Sequence, residues 1–239
     1  KISRQINLNF AENEKLVVNL RKPDYQTIKA QENIDYAQNF KNISTMYIHG
    51  SHQKIDQEVL KSLLIIFNCA SHIKTLHLGF GETEFDLRCL YKILDHLKSF
   101  KTLKSLTLYM TKYFDKSGNL DEVTSYLSTA LLNVKTLESL ELRFHNCPNM
   151  NSAHFQKITT TIIELRMLTK FMLDFAECEN LGDESLKAII EIIKMKNSSL
   201  KEMTLWMDYW KISDQAMDEF SKKILLLEEM NSFEISLNS

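Results

Sequence analysis

The sequence predicts an α/β fold: an array in which short parallel strands line one side and returning helices the other. Two observations predict it. The first is a recurring pattern of alternating apolar residues with one more apolar residue three places upstream. It appears as "ISTMYIHG" (43–50), "IKTLHLGF" (73–80), "LKSLTLYM" (103–110), "LESLELRF" (137–144), "LTKFMLDF" (168–175), "LKEMTLWM" (200–207) and "MNSFEISL" (230–237). Aligning Met46, Leu76, Leu106, Leu140, Phe171, Met203 and Phe233 gives steps of 30, 30, 34, 31, 32 and 30 residues. Self-similarity at such a period marks a repeat architecture, each copy being one supersecondary unit. The second observation is that between copies the apolar period changes from that of a strand to that of a helix. Strand, helix and strand in steady succession place the strands parallel, with helical crossovers.

Ahead of the strong copies, "QINLNFAENEKLVVNL" (5–20) alternates at Ile6, Leu8 and Phe10 and again at Leu16, Val18 and Leu20. This predicts an extra strand or hairpin covering the first unit, because the ends of a stacked array need protection. Val18 and Leu20 make a weaker first copy, with Lys15 in the leading apolar place. One domain, 1–239, is therefore expected: residues 1–22 as a cap and first strand, and repeats from about 43 to 239. Helix faces follow the 3.6 period. Met217, Phe220, Ile224 and Leu227 share one side of 213–228, and Val123, Tyr126, Leu127, Ala130, Leu131 and Val134 share one side of 121–134. Asp56, Asp86, Asp121, Ser152, Asp183 and Ser213 have oxygens able to accept from free first-turn amides and mark the helix starts. Pro23 and Pro148 fall between strand and helix, where a missing N–H does no harm. The final copy ends on an apolar strand with no helix after it, and the chain starts at Lys1. Both ends raise the expectation of a piece of something longer, with the last edge covered by more chain or by a partner in a larger complex.

Composition limits the function classes. The chain is 44% hydrophobic and 25% charged, with 29 lysines and arginines against 31 acids and a net charge of -2. That balance gives no footprint for nucleic acid or an anionic membrane. The longest aliphatic/aromatic run, "LLIIF" at 63–67, is far short of a membrane span. The four cysteines (69, 89, 147 and 178) form no C-x-x-C pair, so free thiols in a reducing compartment, the cytoplasm, are expected.

The repeated residues closely resemble the leucine-rich repeat, L-x-x-L-x-L-x-x-N/C, in its long form of roughly thirty residues with a full helix per unit. That form is the ribonuclease-inhibitor-like class, which includes Ran GTPase-activating proteins and the sensor arms of NOD-like receptors. The resemblance covers about residues 15–239. It implies a horseshoe-shaped solenoid with the parallel sheet on its concave face and helices on its convex face. Cys147 and Cys178, three residues beyond Phe144 and Phe175, fall in the family's N/C slot, where the side chain turns inward to the loop backbone. Gln53, Thr83, Tyr113 and Trp210 depart from it, and the 34-residue step points to an insertion around 111–119.

Strand residues alternating with the apolar ones form rows on the uncovered sheet face. Tyr47, His49, His77, Tyr109, Glu141, Arg143, Asp174, Trp206 and Asp208 are the candidate protein-binding residues on this face. Tryptophan, tyrosine and arginine dominate binding hot spots. The plain alternative is that these are solvated strand positions. His49, His77 and His145 lie on different strands, which does not suit the three or four converging ligands zinc requires, so no metal site is expected. "GFG" at 79–81 lacks the third glycine of a dinucleotide loop, and no nucleophile elbow, zincin or P-loop motif occurs. The expected function is a non-enzymatic protein-binding module without cofactor, a scaffold, adaptor or assembly subunit. The alternatives are the regulatory arm of a larger enzyme (a kinase or ubiquitin ligase) and GTPase activation, for which no catalytic residue maps onto this chain.

Overall fold

The computed structural model describes residues 7–11, 14–20, 40–111, 120–225, 227 and 229–238. Strands β1 (Asn7–Ala11), β2 (Lys15–Asn19), β3 (Thr45–His49), β5 (Thr75–Gly79), β7 (Ser105–Tyr109), β8 (Ser139–Arg143), β9 (Lys170–Asp174), β10 (Glu202–Trp206) and β11 (Ser232–Ser236) form one sheet in that order. β1 runs antiparallel to β2, and from β2 onward the strands are parallel. Two short strands, β4 (Lys54–Ile55) and β6 (Glu84–Phe85), pair beside the main sheet. Helices α1 (Gln57–Cys69), α2 (Leu87–His96), α3 (Leu120–Leu132), α4 (Ser152–Glu164), α5 (Asp183–Lys196) and α6 (Asp214–Ile224) return the chain between strands, each packed on the next. The expected α/β architecture with a parallel sheet and repeat-like units is present.

One contiguous core lies between sheet and helices. Every main-sheet strand from β2 to β10 buries its second and fourth residues, from Leu16 and Val18 to Met203 and Leu205, and the leading residues Ile43, Ile73, Leu103, Leu137, Leu168 and Leu200 are buried beside them. The open face holds the alternate residues. Phe233 and Ile235 of β11 are only half-buried, because that strand has a neighbour on one side alone among the described residues.

The sequence misplaced the first copy by two residues: Leu16, not Val18, pairs with Met46. Leu16, Val18 and Leu20 are all buried, and a slip of two keeps every side chain on its face, so alternation alone cannot set this register.

Helix starts follow capping chemistry. Asp56 accepts from Glu58 N and Val59 N, Asp86 from Arg88 N, and Ser213 from Ala216 N. Ser152 is not the cap of its helix: Asn151 is, accepting from His154 N while His154 Nδ1 accepts from Asn151 N. Asp183 follows its cap, Gly182, and its carboxylate instead accepts from Ser213 N and Oγ, both at 2.7 Å, tying the start of α5 to that of α6. A Cβ at position 182 would meet the Lys211 carbonyl oxygen at 2.4 Å, so only glycine permits this approach. Asp121 sits inside the first turn of α3, with its carboxylate 3.0 Å from Lys157. Tyr126, expected on the inner face, is exposed and stacked on Tyr91 at 4.0 Å between ring centres. Pro148 lies between β8 and α4 as expected; Pro23, Tyr113 and most of the expected insertion lie outside the described residues.

Residues in the N/C slot share one task despite their differing chemistry. Cys178 Sγ donates to the Phe144 carbonyl at 3.3 Å, and Cys147 Sγ lies 3.8 Å from the Met110 carbonyl. Thr83 Oγ1 donates to Gly50 O at 2.7 Å and Trp210 Nε1 to Phe175 O at 2.9 Å. Each acceptor is the first residue after the strand in the preceding unit. The departures from Asn or Cys therefore do not disturb the loops: a hydroxyl or an indole N–H supplies the donor. Gln53 is the exception, its side chain reaching only Ser51 O at 3.5 Å.

Thr83→Val keeps the shape and removes this donor, leaving the buried Gly50 carbonyl its bond from Gln53 N alone. It should cost about 1 kcal/mol. Leu205→Ala, opening a cavity at a fully buried position, should cost about 2–5 kcal/mol. Denaturant melts of the two variants check both; a Thr83→Val midpoint equal to the parent's would show that the slot bond adds no stability.

Candidate functional site

Strand register builds the open face directly. Tyr47, His77, Thr107, Glu141, Met172, Thr204 and Glu234 form one cross-strand row, and His49, Gly79, Tyr109, Arg143, Asp174, Trp206 and Ser236 the next. All the strand residues expected on this face therefore occupy it. No described helix covers it.

The face has two chemically different halves. Toward β3 and β5 the rings of Tyr47 and His77 stack with centroids 4.3 Å apart and planes 4° from parallel, and His49 stands 6.3 Å from Tyr47. Burial holds the His77 imidazole below its ordinary pKa, outweighing the upward pull of Glu141, and His49 adds to the lowering. Toward β8, β9 and β10 the side chains are tied together. Arg143 Nε donates to a Glu141 carboxylate oxygen, and Thr107 Oγ1 donates to the other at 3.2 Å. The Arg143 guanidinium carbon lies 5.2 Å from the centre of the Trp206 ring. Asp174 sits between those two residues in register, so their side chains meet across it.

That crossing accounts for Asp174, which the sequence placed as an exposed contact. It is 4% exposed. Its Oδ1 accepts one backbone bond, from Ala176 N at 3.3 Å, and His145 Nδ1 stands 3.9 Å away. Burial pushes its carboxyl above the ordinary pKa, opposed by the Ala176 amide, His145 and Arg143, while Asp208 pushes the same way as burial. Trp206 remains half-exposed, held against Arg143 on one side. Asp208 is partly committed elsewhere: Ser236 Oγ donates to it at 2.9 and 3.0 Å and Asn238 N at 2.6 Å, which fastens β11 to the loop after β10.

Residues beyond the strands complete the cluster, and of these Asn146 and Glu177 were not singled out in the sequence. Asn146 Nδ2 donates to Glu177 Oε2 at 2.8 Å, and His145 Nε2 lies 3.5 Å from Glu177 Oε1. Asn146 and Glu177 have φ of 55° and 59°, and His52, Glu82 and Tyr209 repeat this left-handed geometry three residues after their own strands. Their shared offset from the strand end was the available signal. Without glycine there, residue type concealed it.

Among the described residues no group of three or more His, Cys, Asp or Glu side chains is placed to hold a metal ion, and no helix is long and apolar enough to cross a membrane. Cys89, Cys147 and Cys178 are buried, Cys69 is half-buried, and all are free thiols. The chain matches no protein-family model and no curated protein.

A carboxyl with a raised folded pKa binds its proton more tightly in the native than in the unfolded state. Its ionisation therefore lowers stability as pH rises through the folded pKa, and the penalty is gone below the ordinary value of about 3.9. Asp174→Asn removes that ionisation. The variant should gain thermal stability relative to the parent at pH 7 and lose the advantage at pH 3.5. An Asn variant destabilised at pH 7 and less so at pH 3.5 would instead show that ionised Asp174 is a net stabilising partner of Arg143.

Proposed function

We propose that the chain is a leucine-rich-repeat solenoid of the long, strand-plus-helix class, the open sheet face being its concave side, and that it acts in the cytoplasm as a non-catalytic module binding another protein. The observation that carries this reading is the Arg143–Trp206 stack across buried Asp174, standing on a rigid sheet with no described element over it. Two hot-spot residue types are held there in one arrangement before any partner arrives, which reduces the side-chain entropy lost on binding. The architecture is supported by the steady repeat spacing and by the slot donors, which bond from unit to unit as the family pattern requires. Free thiols agree with a reducing compartment.

The test compares open-face and helix-face variants in affinity capture from native extract, with a thermal melt of each. Trp206→Ala should cost no more than about 1 kcal/mol of stability, the size of an exposed cation–π contact. Trp206→Ala and Arg143→Ala should each release the same captured protein, by about 2 kcal/mol or more where the residue is a hot spot. Charge reversal at Lys187 and Glu191, exposed on α5, should leave capture intact. Capture that survives the sheet variants and fails with the helix variants would place binding on the helix side.

A further inference from the structure

Charge is unevenly distributed over the open face. Between β3 and β7 its two central rows hold Tyr47, His77 and Thr107, then His49, Gly79 and Tyr109, with no acid, lysine or arginine. From β8 to β11 the face and the loops above it turn acidic. Glu141 is matched by Arg143 and Glu202 by Lys170. Asp174, Glu177, Asp208 and Glu234 have no lysine or arginine within ion-pair distance among the described residues. Asp174 stands beside Trp206 in register, Glu234 lies on the adjoining strand, and Glu177 N donates to the carbonyl of Asp208 two residues beyond it; the Trp206 ring already receives a guanidinium from Arg143.

We propose, resting on the open-face reading above, that the β8–β11 half of this face docks an extended basic segment of the partner protein, one or more of whose arginine or lysine side chains lies against Trp206 among these carboxylates. The argument is complementarity of charge and of surface. The unmatched carboxylates attract a cation and repel an acidic partner, and the effect reaches roughly one Debye length, about 8 Å at physiological salt. Trp206 adds a ring face, the best aromatic surface for a cation. The partner's arginine would extend an arrangement the chain already makes with its own. Strands lie about 4.8 Å apart, so β8 to β11 spans roughly 14 Å. An extended segment of five or six residues, at roughly 3.3 Å each, reaches across it.

Trp206 and Trp210 are the two tryptophans of the chain, and Trp210 is buried, so a change in tryptophan emission on ligand binding at the open face reports on Trp206. The experiment titrates the full chain with hexa-arginine and, separately, with hexaglutamate at near-physiological salt. It is repeated on the double variant Glu177→Lys/Glu234→Lys, on Arg143→Ala, and on the helix-face variant Glu191→Lys. Hexa-arginine should change Trp206 emission saturably, with affinity falling at least tenfold in the double variant and unchanged in Glu191→Lys; hexaglutamate should not bind. A circular-dichroism melt of the double variant ensures that a loss is not unfolding. Should the double variant fail to fold, Glu177→Gln/Glu234→Gln replaces it, with a smaller loss in the same direction. Hexaglutamate binding that disappears in Arg143→Ala would overturn the basic partner and leave the open face as the docking surface. Hexa-arginine binding lost only in Glu191→Lys would overturn the open-face reading too. Binding by neither peptide would overturn the basic partner alone, since the capture experiment tests the face independently.

Discussion

Backbone groups at the two ends of each strand have no partner within their own unit and are satisfied by the next one. At the entry, each carbonyl serves two amides of its neighbour: Lys74 O accepts from Lys104 N and Ser105 N, Lys104 O from Glu138 N and Ser139 N, and Glu138 O from Thr169 N and Lys170 N. At the exit, Phe80 N donates to Tyr109 O, Met110 N to Arg143 O, Phe144 N to Asp174 O and Phe175 N to Trp206 O. Buried backbone polar groups left unpaired are costly, so this lateral pairing constrains everything else. It fixes the register from β2 to β11, and register fixes which side chains share a row. The slot donors of Thr83, Cys147, Cys178 and Trp210 extend the same principle into the loops.

The candidate site is a consequence of that register. Arg143, Asp174 and Trp206 come from separate units, 31 and 32 positions apart in sequence, yet they stand on neighbouring strands. The arrangement buries a carboxylate on a face otherwise open to water. Its cost is only partly reduced by the Ala176 amide, the imidazole and the guanidinium, and a partner's cation would add to the same balance. The uncharged, ring-bearing half beside β3 and β5 has the opposite character, giving the face a polarity along the sheet.

Much of this was legible in the residues. The alternation in "LKEMTLWM" placed Met203 and Leu205 inside and Thr204 and Trp206 outside, because a period of two admits only two assignments and the leading Leu200 chooses between them. What escaped detection had other causes. Val18 was aligned where Leu16 belongs, since a two-residue slip leaves the pattern unchanged. Ser152 and Asp183 are good capping residues lying one place inside their helices, where Asn151 and Gly182 precede them. Tyr126 fits the apolar stripe by spacing but lies exposed, finding its contact in the half-buried ring of Tyr91. Asp174 gave no sign of burial because the residues that cover it come from two other units. Cross-strand effects of that kind depend on rotamers, which a periodic pattern does not encode.

The central claim is that each unit turns one set of alternate residues into the core and the other onto an open face. The most direct measurement is a cysteine scan along β10. In a Cys69→Ser background, where the remaining thiols are buried, residues 203 to 206 are replaced by cysteine one at a time, and native labelling rates are measured. Thr204→Cys and Trp206→Cys should label rapidly, and Met203→Cys and Leu205→Cys only as fast as the chain unfolds. Equal rates at all four positions, or the inverse alternation, would contradict the account.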